Sequence, residues 1–126
     1  DEYNKVLLPG IPNKSEDVNN HHIFNQFVIR VQYRNALRAF LNEQGIGTEI
    51  YYPIPFHKQP CFVHLPSSSN SFPVSDCAST DVLALPIFPE LQENQIQHVV
   101  NVIVEFYQTK VFALEKECKD CNCGCL

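Results

Sequence analysis

The residues best equipped for chemistry sit together in GTEIYYPIPFHKQPCF, from Gly47 to Phe62. His57 brings an imidazole that can donate or accept a proton near neutrality. Tyr51 and Tyr52 offer flat faces with hydroxyl handles, and Phe56 adds an apolar wall. Pro53, Pro55 and Pro60 stiffen the segment, so less entropy is lost when a ligand is held against it. Residue types alone leave two readings open: aromatic packing under a long connection, or a preorganised wall of a ligand cleft. A metal centre is the weakest reading. No second His, Asp or Cys stands at a recognised spacing from His57, and the Cys-x-x-His pair of Cys61 and His64 needs two further ligands.

Such a loop must be carried by something. The 126 residues fit one domain, and 44% hydrophobic with 18% charged residues is enough to bury a core. A net charge of −5 with acids and bases interspersed leaves no basic face for a nucleic acid. No apolar run approaches the roughly 18 residues of a membrane span. The opening DEYNKVLLPG has neither the charged n-region nor the h-region of a signal peptide. The absence of methionine leads us to expect a start inside a longer reading frame. Of six cysteines, four crowd the last nine residues, a distribution that does not staple a fold. Cys61 and Cys77 are therefore expected to be reduced, core-seeking side chains in a cytoplasmic protein.

FNQFVIRV alternates, with Phe27, Ile29 and Val31 on one face and Gln26 and Arg30 on the other, which predicts a half-buried strand. Tyr33, Leu37, Phe40 and Leu41 follow helical spacing. Gly45 is placed to end that helix, with Ile46 packing back on Leu41 in a Schellman-type stop. GTEIYY predicts a second strand, and PSSSNSFP reads as a surface loop. A short helix from Val74 to Leu83 and an extended LALPIF are expected next. Ile96, Val99, Val100, Ile103, Phe106 and Tyr107 then line an amphipathic helix, prolonged by Val111 and Leu114. The fold class predicted is α+β, a small and mainly antiparallel sheet with helices packed on one face.

HHIFNQFVIRV, RAFLNEQGIGTEIYYPIPFHKQPCF, FPVSDCA and LALPIFPEL follow one another in an order and at separations that resemble the small, C-terminal domain of the DegT/DnrJ group. These are pyridoxal-phosphate-dependent nucleotide-sugar aminotransferases. The resemblance covers about Tyr3 to Tyr107. It implies a cytoplasmic homodimer whose subunits carry a large cofactor domain ahead of this one, moving an amino group, usually from glutamate, to a nucleotide-linked keto-sugar. By the same resemblance Tyr51, Tyr52, Phe56 and His57 lie at the mouth of the active site and help to hold the sugar nucleotide. No catalytic or cofactor-binding residue is assigned to this chain.

That chemistry needs a lysine for the Schiff base with pyridoxal 5′-phosphate and an acid against the pyridine nitrogen, both implied for the missing large domain. Lys5, Lys14, Lys58, Lys110, Lys116 and Lys119 stand in no such context. Lys58 occupies a position where the family more often has an apolar residue. Two alternatives share the residues: a sugar dehydratase on the same scaffold, or a stand-alone interaction module or gene remnant. Gln92 stands where the family commonly offers Thr, which predicts a degraded capping box on the last helix, costing about 1 kcal/mol. The domain is expected over 1–108. Residues 109–126 form a helix extension and a tail whose Cys118, Cys121, Cys123 and Cys125 are read as adventitious rather than as a metal site.

Overall fold

A computed structural model describes residues 6–9, 24–65 and 71–111. The element order is β1 (Val6–Leu7), β2 (Phe27–Val31), α1 (Arg34–Glu43), one 3₁₀ turn (Phe56–Lys58), α2 (Pro73–Asp81), β3 (Val82–Leu85) and α3 (Glu93–Glu105). A wide π-type turn at Phe106–Lys110 prolongs α3. The strands form one antiparallel sheet in the order β1-β2-β3, with Ile29 opposite Leu83 and Arg30 opposite Val82.

The alternation read in FNQFVIRV is realised, since Ile29 and Val31 are fully buried. Leu37, Phe40 and Leu41 of α1 and Val102 of α3 meet them in one core, which also takes in Leu83, Phe106 and Val111. The rings of Phe40 and Phe106 lie 5.7 Å apart there. The core thus runs beyond residue 108, inside a continuous helical segment. Tyr33, expected in the helical stripe, instead precedes α1 in a left-handed conformation (φ 56°).

The stop of α1 is built as the residues demand. The Ile46 N–H donates to Leu41 O at 2.9 Å and the Gly45 N–H to Asn42 O at 3.0 Å, the paired bonds of a Schellman motif. They require the φ of +74° that Gly45 adopts, a region costly for a residue with a Cβ.

Several expectations are corrected. GTEIYY forms no strand; only Glu49 pairs, exchanging bonds of 3.1 and 2.9 Å with Ala84 on the outer edge of β3. The Ile50 N–H is spent on the Glu49 carboxylate at 2.8 Å, and Pro53 and Pro55 have no donor to continue a ladder. LALPIF is extended only to Leu85, because Pro86 ends the pairing.

The helix expected from Val74 to Leu83 runs from Pro73 to Asp81, with Pro at the first position where a missing N–H costs nothing. Its end is held by two arginines. Arg34 donates to Ser79 O and Val82 O at 3.0 and 3.3 Å, and Arg30 pairs with Asp81 at 3.1 Å. Cations at a helix C-terminus meet the negative end of its dipole.

The capping box of α3 is present, built from Gln92 and Gln95 with Gln95 Oε1 accepting the Gln92 N–H at 2.9 Å, so the expected degradation is corrected. Gln92 turns its own amide back to Glu90 O. Cys61 is exposed and Cys77 half-buried, so neither seeks the core; both are free thiols. Among the described residues no helix is long and apolar enough to cross a membrane. Lys5, Lys14, Lys116, Lys119, Leu114, the cysteines of the tail and most of PSSSNSFP lie outside the described residues.

Candidate functional site

The loop after Glu49 is held by its own backbone rather than by a sheet. Lys58 N–H donates to Pro55 O at 2.9 Å and Gln59 N–H to Phe56 O at 3.1 Å, closing the 3₁₀ turn. Phe62 N–H donates to Gln59 O at 2.9 Å, and the Gln59 amide reaches back to Ile54 O at 3.1 Å. Pro55 enters the turn with φ −59°, the value its ring imposes. Stiffness inferred from three prolines is thus reinforced by at least four hydrogen bonds.

Within this frame, adjacent side chains part company. Tyr51, Tyr52 and Phe56 face solvent, 49%, 63% and 64% exposed. The Tyr52 and Phe56 rings lie 6.2 Å apart, and Phe56 meets Phe62 edge-on at 5.8 Å. Three of the four residues singled out in the sequence therefore form an open aromatic face, unlike a buried core. His57 turns the other way. Its side chain is 11% exposed and its ring lies 4.9 Å from that of Phe72, just ahead of α2.

Asp76, in the first turn of α2, completes the contact. Its Oδ1 lies 2.8 Å from Lys58 Nζ and 3.2 Å from His57 Nε2. The Asp76 side chain as a whole is about a third exposed, yet Oδ1 itself is shielded by these neighbours. The Lys58 ammonium, set against that oxygen, holds the Asp76 carboxyl below its ordinary range; burial opposes this, and His57 adds a smaller push. Lys58, left unassigned by the sequence, has a structural partner. No sequence signal singles out Asp76 or Phe72 for this contact, because a pairing across 19 residues leaves no periodic pattern.

Among the described residues neither lysine is placed to hold pyridoxal phosphate. Lys58 is committed to Asp76 at the surface, and Lys110 lies 5.9 Å over the Phe40 ring. Neither faces a cavity that would take a pyridine ring. No group of three or more His, Cys, Asp or Glu side chains among the described residues could hold a metal ion. The described chain does contain a cavity of about 800 Å³, between the sheet and α3, lined by Phe27, Ile29, Leu85, Val99 and Ile103 among others. Its walls are mainly apolar, with Tyr107 and Gln108 at one end, and include none of the loop residues.

Comparison with known proteins gives this geometry a context. Residues 3–104 match the DegT/DnrJ/EryC1/StrS aminotransferase family. The chain is 48% identical over 88 residues to the pleiotropic regulatory protein of Geobacillus stearothermophilus, spanning 70% of this chain and 24% of that protein. It is 43% identical over 83 residues to the UDP-N-acetyl-3-dehydro-alpha-D-glucosamine 3-aminotransferase of Acidithiobacillus ferrooxidans, covering 66% and 22%. The fold superposes on a crystal structure of a DegT DnrJ EryC1 StrS aminotransferase from Brucella abortus with a TM-score of 0.70 at 29% identity, over 82% of this chain and 26% of that one. The chain thus spans about a quarter of the length of the relatives it matches. Matched over most of its own residues, the chain belongs to the DegT/DnrJ/EryC1/StrS aminotransferase family.

Proposed function

We propose that this chain is the small, C-terminal domain of a cytoplasmic pyridoxal-phosphate-dependent enzyme, and that its aromatic loop is a wall of the sugar-nucleotide site. The enzyme would transfer an amino group, with glutamate as donor, to a nucleotide-linked keto-sugar, and would work as a homodimer. The observation that carries this reading is the outward face of Tyr51, Tyr52 and Phe56 on a hydrogen-bonded loop beside His57, in a chain of aminotransferase family. Flat rings suit a sugar or base face, and the Tyr52 hydroxyl and His57 suit hydroxyl or phosphate oxygens.

Cofactor chemistry falls, in this reading, to the part of the protein that the chain does not span. The two apolar sides of α3 support it. Val102 faces the core, while Val100 and Val104 remain half-exposed along the apolar cavity, as expected of a helix enclosed within a larger molecule.

The test uses a subunit that joins this domain to its cofactor-binding part. Loss of one hydrogen bond costs about 0.5–1.5 kcal/mol for a neutral partner and about 1.5–3 for a phosphate. His57→Ala or Tyr52→Phe is expected to lower kcat/KM for the sugar nucleotide by about 3- to 150-fold. The glutamate half-reaction should change much less. Equal damage to both half-reactions would remove the loop from the sugar site.

A further inference from the structure

We propose that Asp76, with Lys58, is a positioning residue for His57: the pair pins the imidazole against Phe72 with Nε2 turned to the carboxylate, leaving Nδ1 as the nitrogen for a sugar-nucleotide hydroxyl. The inference rests on the reading of the loop as a substrate wall.

The geometry is specific. The polar neighbours of Asp76 Oδ1 are Nζ of Lys58 at 2.8 Å and Nε2 of His57 at 3.2 Å. The ring also meets that of Phe72, 4.9 Å away between centroids and inclined by 51°. Phe72 is itself placed by the chain, since the Pro73 that follows keeps it out of the helical region (φ −126°, ψ 68°) and its carbonyl accepts the Asp76 N–H at 3.0 Å. An imidazole that touches both a carboxylate and an aromatic ring, and is only 11% exposed, has few orientations left.

The tautomer follows from the contact. A carboxylate accepts and cannot donate, so the nitrogen facing it carries the proton. In the neutral ring Nδ1 is then an acceptor. Its natural complement is a donor, which a sugar hydroxyl supplies and a fully ionised phosphate does not. Lys58 brings a positive charge to the same oxygen, so the carboxylate is balanced and the contact between loop and α2 carries little net charge. A carboxylate behind a histidine is a common way to set which nitrogen is presented.

A double-mutant cycle in an active subunit carrying this domain tests the coupling. Asp76→Asn is expected to raise KM for the sugar nucleotide by about 3- to 10-fold with the glutamate half-reaction unchanged. In a His57→Ala background the same substitution should add nothing, and Asp76→Glu should recover part of the loss. Effects of Asp76→Asn and His57→Ala that multiply would mean that Asp76 acts independently, and would overturn the proposal. A second arm needs no substrate. In the 126-residue chain, NMR cross-peaks between the His57 and Phe72 rings should be strong in the wild type and averaged away in Asp76→Asn and Lys58→Ala. Persistence of those cross-peaks in Asp76→Asn would also overturn it. Cross-peaks averaged away in Asp76→Asn with an unchanged KM would establish the pinning and sink the substrate reading, so the two failures are distinguishable.

Discussion

Tyr107, one residue into the wide turn that prolongs α3, donates its hydroxyl to Gln32 O at 2.7 Å, tying the end of the last helix to the corner between β2 and α1. The bond spans 75 residues. Thr109 assists by bonding Glu105 O with its side chain at 2.7 Å, an alternative partner for a carbonyl in the turn. Burial raises the Tyr107 phenol well above its ordinary value near 10, with the neighbouring Tyr33 adding to the shift. A raised folded-state pKa means that the native state holds its proton where the unfolded chain has begun to lose it. Stability from this group is therefore complete below about pH 10 and declines as pH rises beyond it. Tyr107→Phe should destabilise at pH 7 by about 1–3 kcal/mol, because Gln32 O loses its partner. It should also flatten the alkaline limb of stability, measured by denaturant midpoints between pH 8 and 11.

The acid limb should report on Asp76. Its carboxyl is held below the ordinary range first by Lys58, so the native state stays ionised where the unfolded chain has taken up a proton. That contribution is present above about pH 4 and is lost as pH falls through the folded value. Lys58→Met removes the largest cause. Its melting temperature should depend less steeply on pH below 5 than the wild type's, and parallel curves would show that the contact carries no stability.

Much of the fold was legible where one local rule decided the outcome. Period two in FVIRV and the Gly45–Ile46 pair needed only their own neighbours, and both stand as read. GTEIYY misled because β-rich residues do not make a strand when the next N–H is spent on the Glu49 carboxylate and the prolines that follow have none to give. The helix from Pro73 ended early for a tertiary reason: Arg34 arrives from 45 and 48 residues away to take its last carbonyls. The site divides in the same manner. Loop stiffness is local chemistry, whereas the opposite outlook of Phe56 and His57 depends on Asp76 and Phe72, 15 to 20 residues further along the chain.

Gly45 and Gly47 make a matched pair of tests. Nothing lies within 4 Å of a Cβ added at either position, but only Gly45 has a positive φ, of +74°. Gly45→Ala should cost about 1 kcal/mol through backbone strain alone, a fall in Tm of about 4–8 °C for a domain of this size. Gly47→Ala should be neutral or slightly stabilising, since it only narrows the unfolded ensemble. Equal losses at both would point to a packing role instead of conformation.

The exposed aromatic face and the core should separate cleanly in stability. Leu41 is fully buried, so Leu41→Ala should cost about 2–5 kcal/mol by urea unfolding. Phe56, 64% exposed, should cost under about 1 kcal/mol as Phe56→Ala, despite its larger ring. A loss at Phe56 as large as that at Leu41 would return the loop to a packing role and weaken its assignment to the sugar site.

α3 offers the sharpest check on how this chain sits in its protein. Val102 is 4% exposed in the core, while Val100, two positions earlier, is 45% exposed along the apolar cavity. In the 126-residue chain, Val102→Ala removes buried methyl groups and should cost about 2 kcal/mol. Val100→Ala should cost little there, because much of its surface already meets water. The balance should change in a subunit that includes the cofactor-binding part, if that part encloses the cavity. Val100→Ala would then remove buried surface as well and cost about 1–2 kcal/mol. Thermal unfolding of both variants in both contexts measures the difference. An unchanged cost at Val100 would mean that this side of α3 still faces solvent in the larger protein, and the support it lends to our reading of the chain would be lost.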